Sequence, residues 1–434
     1  MGSATIEAHE SEDMTKVPDP QGSLNWRLPP CKSFMHWVRV VVLITVGLYG
    51  SYYIREYKLW VDLDLYPYQR LSELGWRALE PRYTALVFID NEAFWRGELA
   101  GRNPVKRDYL ARLISVLDDA GADVIALDID LRSPDPNGRP FDHVDYARET
   151  AQLVDTIKAV AVRRRVVLSR ALGTNTDHQY VAQANIYDEA GFCREDGNFG
   201  ALGVYCGYIE LPVDIRLVPP MLPLVGGGRM PSFALATIDA KKRKSPNEGV
   251  EPAEDRLWYG SYIPAVAFEQ QTFLAREILN ESPEVRRREL ESKIVLVGGS
   301  WSQFAFERGP GFDLWPTPIG LIPGVLLHAN YVEALLDGRI YTSLPEWEML
   351  LIELALLLLC LLPFELQLST MSKTISVFGV CTLLLSIDYV LFQNLGRTVD
   401  VFLPLVLLAA HAGFEQVSEW RALAHQRPEI REAI

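Results

Sequence analysis

TALVFID (Thr84–Asp90), VKRDYLARLISVLDDAG (Val105–Gly121) and VIALDIDL (Val124–Leu131) follow one another along the chain. The first and third are short, nearly continuous apolar runs, the pattern of strands covered on both faces. The middle stretch sets Leu110, Leu113, Ile114 and Leu117 at helical spacing and closes on a glycine. A strand, a helix and a strand in that order predict a parallel, right-handed βαβ unit inside a mostly parallel α/β sheet.

Working outward, the same alternation continues. RRVVLSR (Arg164–Arg170) reads as a strand after a helical stretch over 146–162, and KIVLVGGS (Lys293–Ser300) as a strong buried strand. Residues 200–211 and 215–225 mix short β-like runs with Gly and Pro, which predicts hairpin or edge structure. Helices are expected over 231–240, 268–279 and 324–338, a strand at RLWYGS, and a solvated loop over 241–255.

Four apolar stretches flank this body: 34–53 before it, and 347–366, 374–392 and 398–417 after it. Each is near the length that crosses a hydrocarbon core of about 30 Å. The expected organisation is a disordered cytoplasmic tail (1–33), one span, an extracytoplasmic α/β domain (54–346), three closely spaced spans and a short cytoplasmic tail (418–434). Basic residues near the span ends lean to the terminal side, with Arg27, Lys32, Lys373 and Arg421 among them, which favours cytoplasmic termini. Polar groups inside spans need partners, and depth groups Arg39 with His411 and Glu353 with Asp388.

Charge excludes one class of partner. Residues 55–346 carry 42 acidic and 33 basic side chains, a net −9 without a long basic run, so nucleic acid is not expected. Of five cysteines, only Cys193 and Cys206 fall in the central body. In an oxidising compartment they would close a short loop, and the alternative is two reduced thiols.

Asp90, Asp128 and Asp130 stand at the C-terminal ends of predicted strands, the edge where ligands bind in open parallel sheets. Ser300, which closes the glycine turn of KIVLVGGS, joins them as a candidate ligand contact. The competing role for the carboxylates is to cap helices or bond loop amides. LDIDL has the strand and Asp-x-Asp of a haloacid-dehalogenase-like phosphohydrolase, but Arg132 replaces the Thr or Val expected two residues past the second Asp. VGGGRMPS and KIVLVGGS lack the spacing of a phosphate fingerprint, and the seven histidines form no zinc pattern. His328, on an apolar helix, reads as a core residue. No catalytic residue, metal or cofactor is expected, and the chain is not read as an enzyme; an extracytoplasmic metal-dependent hydrolase using the Asp cluster is the remote alternative.

Taken in order, FIDNEAF (Phe88–Phe94), KRDYLARLISVLDDAGAD (Lys106–Asp123), VIALDIDL, KIVLVGGS and IPGVLLHANYVEALLDGR (Ile322–Arg339) resemble the CHASE type 2 (CHASE2) family of bacterial extracytoplasmic sensor domains. One N-terminal and three C-terminal spans match that family's layout. The chain departs from it in RLWYGS and in the aromatic-rich loop SWSQFAFERGPGFDLWPTP (Ser300–Pro318). The resemblance implies signal reception across the inner membrane. With only residues 418–434 after the last expected span, it also implies a separate membrane or cytoplasmic effector protein. The alternative is a structural or assembly subunit of an envelope complex, and homo-oligomerisation is left open.

Overall fold

In the computed structural model the described residues are 79–131, 145–177, 179–183, 190–193, 203–226, 228–242, 257–302, 313–342 and 370–395, with scattered positions over 42–70, 347–358 and 413–421. Strands β1 (Thr84–Ile89), β2 (Val124–Asp128), β3 (Arg165–Arg170), β4 (Val204–Tyr208), β5 (Thr272–Leu274) and β6 (Ile294–Gly299) form one six-stranded sheet. Its order is β5-β1-β6-β2-β3-β4, and every pairing is parallel. The sheet therefore corrects the adjacency of β1 and β2. KIVLVGGS inserts between them, with Thr84 opposite Ile294 and Ile294 opposite Val124.

Alternating side chains divide the core into two layers. Ala85, Val87 and Ile89 of β1 and Val295 and Val297 of β6 face α1 (Arg107–Asp119), α2 (Tyr146–Ala161), α4 (Ala275–Asn280) and α5 (Pro283–Leu290). Leu86, Ile294, Leu296 and Ala126 face α3 (Phe233–Lys242) and α6 (Gly324–Asp337). The stripe that defined α1 is fully covered: Leu110, Leu113, Ile114 and Leu117 are all 0% exposed. Each such burial contributes about 1.5–3 kcal/mol. Gly338, at φ 68°, ends α6 in the left-handed conformation, and Arg339 N–H returns to the Ala334 carbonyl at 2.8 Å.

One expected element differs. Residues 268–279 do not form one helix: a 3₁₀ segment (Ala265–Gln271) leads into β5 and then α4. The β-favouring Thr272 and Phe273 pair with Leu86 and Val87, so a sheet ladder replaces one turn of helix. Residues 204–208 take the edge alternative of the two expected over 200–211, as the parallel strand β4 beside β3. RLWYGS supplies Leu257–Tyr259, which pairs antiparallel with Ile340–Thr342 and Leu217–Val218. Helix α5 lay outside the expectation, although Ser282 caps it by accepting from Val285 N–H and proline opens its first turn.

Cys193 and Cys206 are joined in a disulfide that fastens β4 to the 190–193 segment, which lies between β3 and β4 in the chain. Cys206→Ser is expected to lower domain stability by about 3 kcal/mol, measured as the shift in thermal unfolding between oxidised wild type and variant.

Among the described residues no helix is long and apolar enough to cross a membrane. The expected spans 34–53, 347–366 and 398–417 fall mostly outside the described residues, as do Arg39, Glu353 and His411. Helix α7 (Thr370–Leu395) covers the expected span 374–392, and only part of its side chains are described.

Candidate functional site

The chain leaves β1 and β2 toward one face of the sheet and leaves β6, between them, toward the other, where α6 lies. Such a reversal opens a crevice at the C-terminal strand ends. All four candidate residues belong to this edge, but they do not converge. With β6 interposed, Asp90 and Asp128 are separated by two strand spacings, roughly 10 Å.

The β1/β6 side of the edge is filled. Asp90 Oδ1 accepts from Ala93 N–H at 2.9 Å, capping the π-helical turn Glu92–Arg96, while Oδ2 accepts from Arg276 Nε at 3.2 Å. Phe94 stacks on Trp301 with centroids 4.3 Å apart, and Trp95 Nε1 donates to the Ser302 carbonyl. Asn91 Oδ1 accepts from both Ser302 N–H and Oγ–H, which zips the two loops together. Ser300 extends the ladder, its N–H donating to the Ile89 carbonyl at 2.9 Å.

The β6/β2 side is different. Asp128, last residue of β2, lies opposite Gly298 and shares the face of Val124 and Ala126, toward α6. No side-chain hydrogen bond engages its carboxyl among the described residues. Burial, and then the nearby Asp313 carboxylate, push its pKa up from 3.8 to about 8. Asp313 sits where α6 begins. Its main-chain carbonyl accepts from Gly324 N–H at 3.0 Å and its Oδ1 from Trp315 Nε1 at 2.6 Å. Burial also raises the Asp313 carboxyl, opposed by those donors. Asp313 adopts φ 60°, and its side chain occupies the space a Cβ at Gly324 would need.

Gly298 makes the close approach of α6 feasible, since a Cβ there would lie 2.5 Å from Val325 Cβ. Gly298→Ala is accordingly expected to destabilise by about 1–3 kcal/mol and to shift the Asp128 surroundings, read by thermal unfolding beside the pH dependence described below.

Asp130 follows Asp128, and its charge contributes to raising Glu210, whose pKa is elevated mainly by burial. Glu210 Oε1 accepts from Leu172 N–H; Oε2 has no partner among the described residues. His328, one turn into α6, is 5% exposed and packs edge-on against Phe233 and Tyr331. Burial lowers its pKa to about 4, so it is neutral at physiological pH. Asp313 was missing from the sequence-based candidates. Its signal was the GFDLWP segment ahead of the α6 start, inside a loop noted only for its aromatics. Among the described residues no group of three or more His, Cys, Asp or Glu is arranged to hold a metal ion.

The family model described as the CHASE2 domain matches residues 40–362, a range that holds the whole six-stranded sheet and the motifs at Phe88–Phe94 and Ile322–Arg339. The chain belongs to the CHASE2 family. CHASE2 is a family of extracytoplasmic sensor domains, so the α/β body carries a sensory fold. No curated protein and no solved structure matches the chain. Within this CHASE2 body, Asp128 and Asp313 mark the side of the C-terminal edge where, among the described residues, no side-chain hydrogen bond engages the Asp128 carboxyl.

Proposed function

We propose that the chain is a multi-pass inner-membrane protein whose periplasmic CHASE2 domain receives a ligand or partner at the β6/β2 edge and signals through its spans to a separate effector protein. The observation that carries the reading is Asp128: a carboxyl at the switch point of a sensor-family sheet, unengaged by any described hydrogen bond. A ligand or protein segment presenting a cation or hydrogen-bond donor would satisfy it.

Membrane insertion is supported by where the exposed apolar side chains fall. Val42, Tyr49, Leu351, Phe378, Ile387 and Val417 are all more than 40% exposed, and each belongs to one of the four expected spans. A water-soluble surface rarely gathers its large apolar groups in this way. The reading treats the body as a receiver: Asp90 is engaged by Arg276 and by the Ala93 amide of the π-helical turn, which leaves the Asp128 carboxyl as the group for an incoming donor.

The test replaces Trp420, beyond the last expected span, with a photoreactive benzoylphenylalanine in the full chain expressed in its own bacterium. A kinase, cyclase or other regulator cross-linked from the cytoplasmic side supports the reading. Cross-links confined to structural envelope proteins would overturn it in favour of an assembly subunit.

A further inference from the structure

We infer that the contact between Tyr68 and Asp388 is the latch that carries a change at the Asp128–Asp313 edge to the membrane helices. The inference rests on the membrane-sensor reading above and gives it a route.

The two residues are 320 positions apart in sequence, yet Tyr68 Oη donates to Asp388 Oδ2, and they are 3% and 4% exposed. Tyr68 belongs to the segment that connects the first expected span to β1, whereas Asp388 lies in the last turns of the expected span 374–392. A carboxyl in a span is expensive unless it is held, and here a residue outside the spans holds it. Tyr68 and the adjoining Tyr389, their rings 6.5 Å apart, are counted in the same apolar cluster as Ile215, Tyr262 and Tyr331 of the domain. The Arg216 guanidinium lies 6.0 Å over the Tyr68 ring and is itself fixed by Asp214 at 2.9 and 3.0 Å.

The next residue supplies the link to the edge. Gln69 Nε2 donates to the Thr317 carbonyl at 2.9 Å. Thr317, 0% exposed, ends the first arm of the hairpin formed by Leu314–Thr317 and Gly320–Pro323. That hairpin begins directly after Asp313 and runs directly into the α6 start. One short antiparallel ladder, pinned by Thr317 Oγ1 to the Gly320 carbonyl at 2.6 Å, therefore has the candidate site at its base and the Tyr68 segment at its tip. A ladder of paired strands moves as a unit, and a hydrogen bond that is either made or broken is a two-state element.

The chain provides a native reporter: Cys381, unpaired and partly exposed, lies on α7 two turns before Asp388. The experiment attaches a nitroxide to Cys381 in the full chain in lipid nanodiscs, with Cys31 and Cys360 changed to Ser, and records label mobility. Asp128→Asn is expected to shift that mobility in the parent chain and to leave it unchanged once Tyr68→Phe is present. Asp388→Leu, which removes the acceptor without burdening insertion, is expected to act as Tyr68→Phe does. An Asp128→Asn shift that persists in both backgrounds, or no shift in the parent, would overturn the latch. The effector cross-linking from Trp420 stands apart from this result, so failure of the latch is distinguishable from failure of the sensor reading.

Discussion

Glu333→Ala is expected to destabilise the domain by about 3–5 kcal/mol, the largest loss of any single substitution considered. Glu333 is 0% exposed in the last turns of α6. Its Oε1 accepts from Tyr83 N–H at 2.9 Å, Thr84 N–H at 2.8 Å and Thr84 Oγ at 2.7 Å, and both oxygens accept from Arg82 N–H at 3.2 Å. Truncation relieves the desolvation of one carboxylate but orphans these donors, of which the Thr84 pair is fully buried. Leaving a buried donor unpaired costs about 1–3 kcal/mol, so the sum exceeds the relief. Glu333→Gln retains one acceptor and should lose less than half as much. Thermal unfolding of the three full chains in one detergent gives the comparison, and equal midpoints would contradict the assignment. Glu333 ties the segment that precedes β1 to α6, so the substitution also loosens the junction between them.

The second large effect is in pH. Asp128 has its carboxyl raised from 3.8 to about 8 in the folded protein. Between those values the folded state holds a proton that the unfolded chain releases, so this group makes stability fall as pH rises from about 4 to about 8. Below that window the group is protonated in both states and has no effect; above it the cost is complete and constant. The slope is at most about 1.4 kcal/mol per pH unit, and the partial exposure of Asp128 makes that an upper bound. Asp128→Asn should remove the slope and be the more stable chain near pH 8. Unfolding curves of both chains across pH 4–8 that stay parallel would refute the raised carboxyl. Because the same proton governs whether Asp128 accepts or donates, ligand binding at this edge should share the window.

The parallel core was legible where local pattern determines structure. The α1 stripe and the apolar β1, β2 and β6 could be read from periodicity, since each is set by which faces are covered. Strand order was not legible. Nothing within KIVLVGGS says that it lies between β1 and β2 rather than at an edge, because parallel pairing depends on long-range packing. Three residues of β5 were absorbed into a helix expectation that ran unbroken from Phe268 to Leu279, within which, of Phe268, Phe273, Leu274 and Ile278, only the last two stand four apart. At the site, Asp128 was found by its place after a strand, whereas Asp313 was hidden in a loop whose course only the α6 start explains. Asp388 was recognised as needing a partner and assigned Glu353, which lies outside the described residues. The structure provides Tyr68, which no depth argument within the spans could have reached.

The most direct test of the central claim is native mass spectrometry of the full chain in nanodiscs formed from the membranes of its own bacterium, comparing wild type with Asp128→Asn. The account predicts a bound small molecule or periplasmic protein on the wild-type chain that the variant loses while keeping its fold. Identical bound components on both chains, or none on the wild type, would contradict reception at the Asp128 edge.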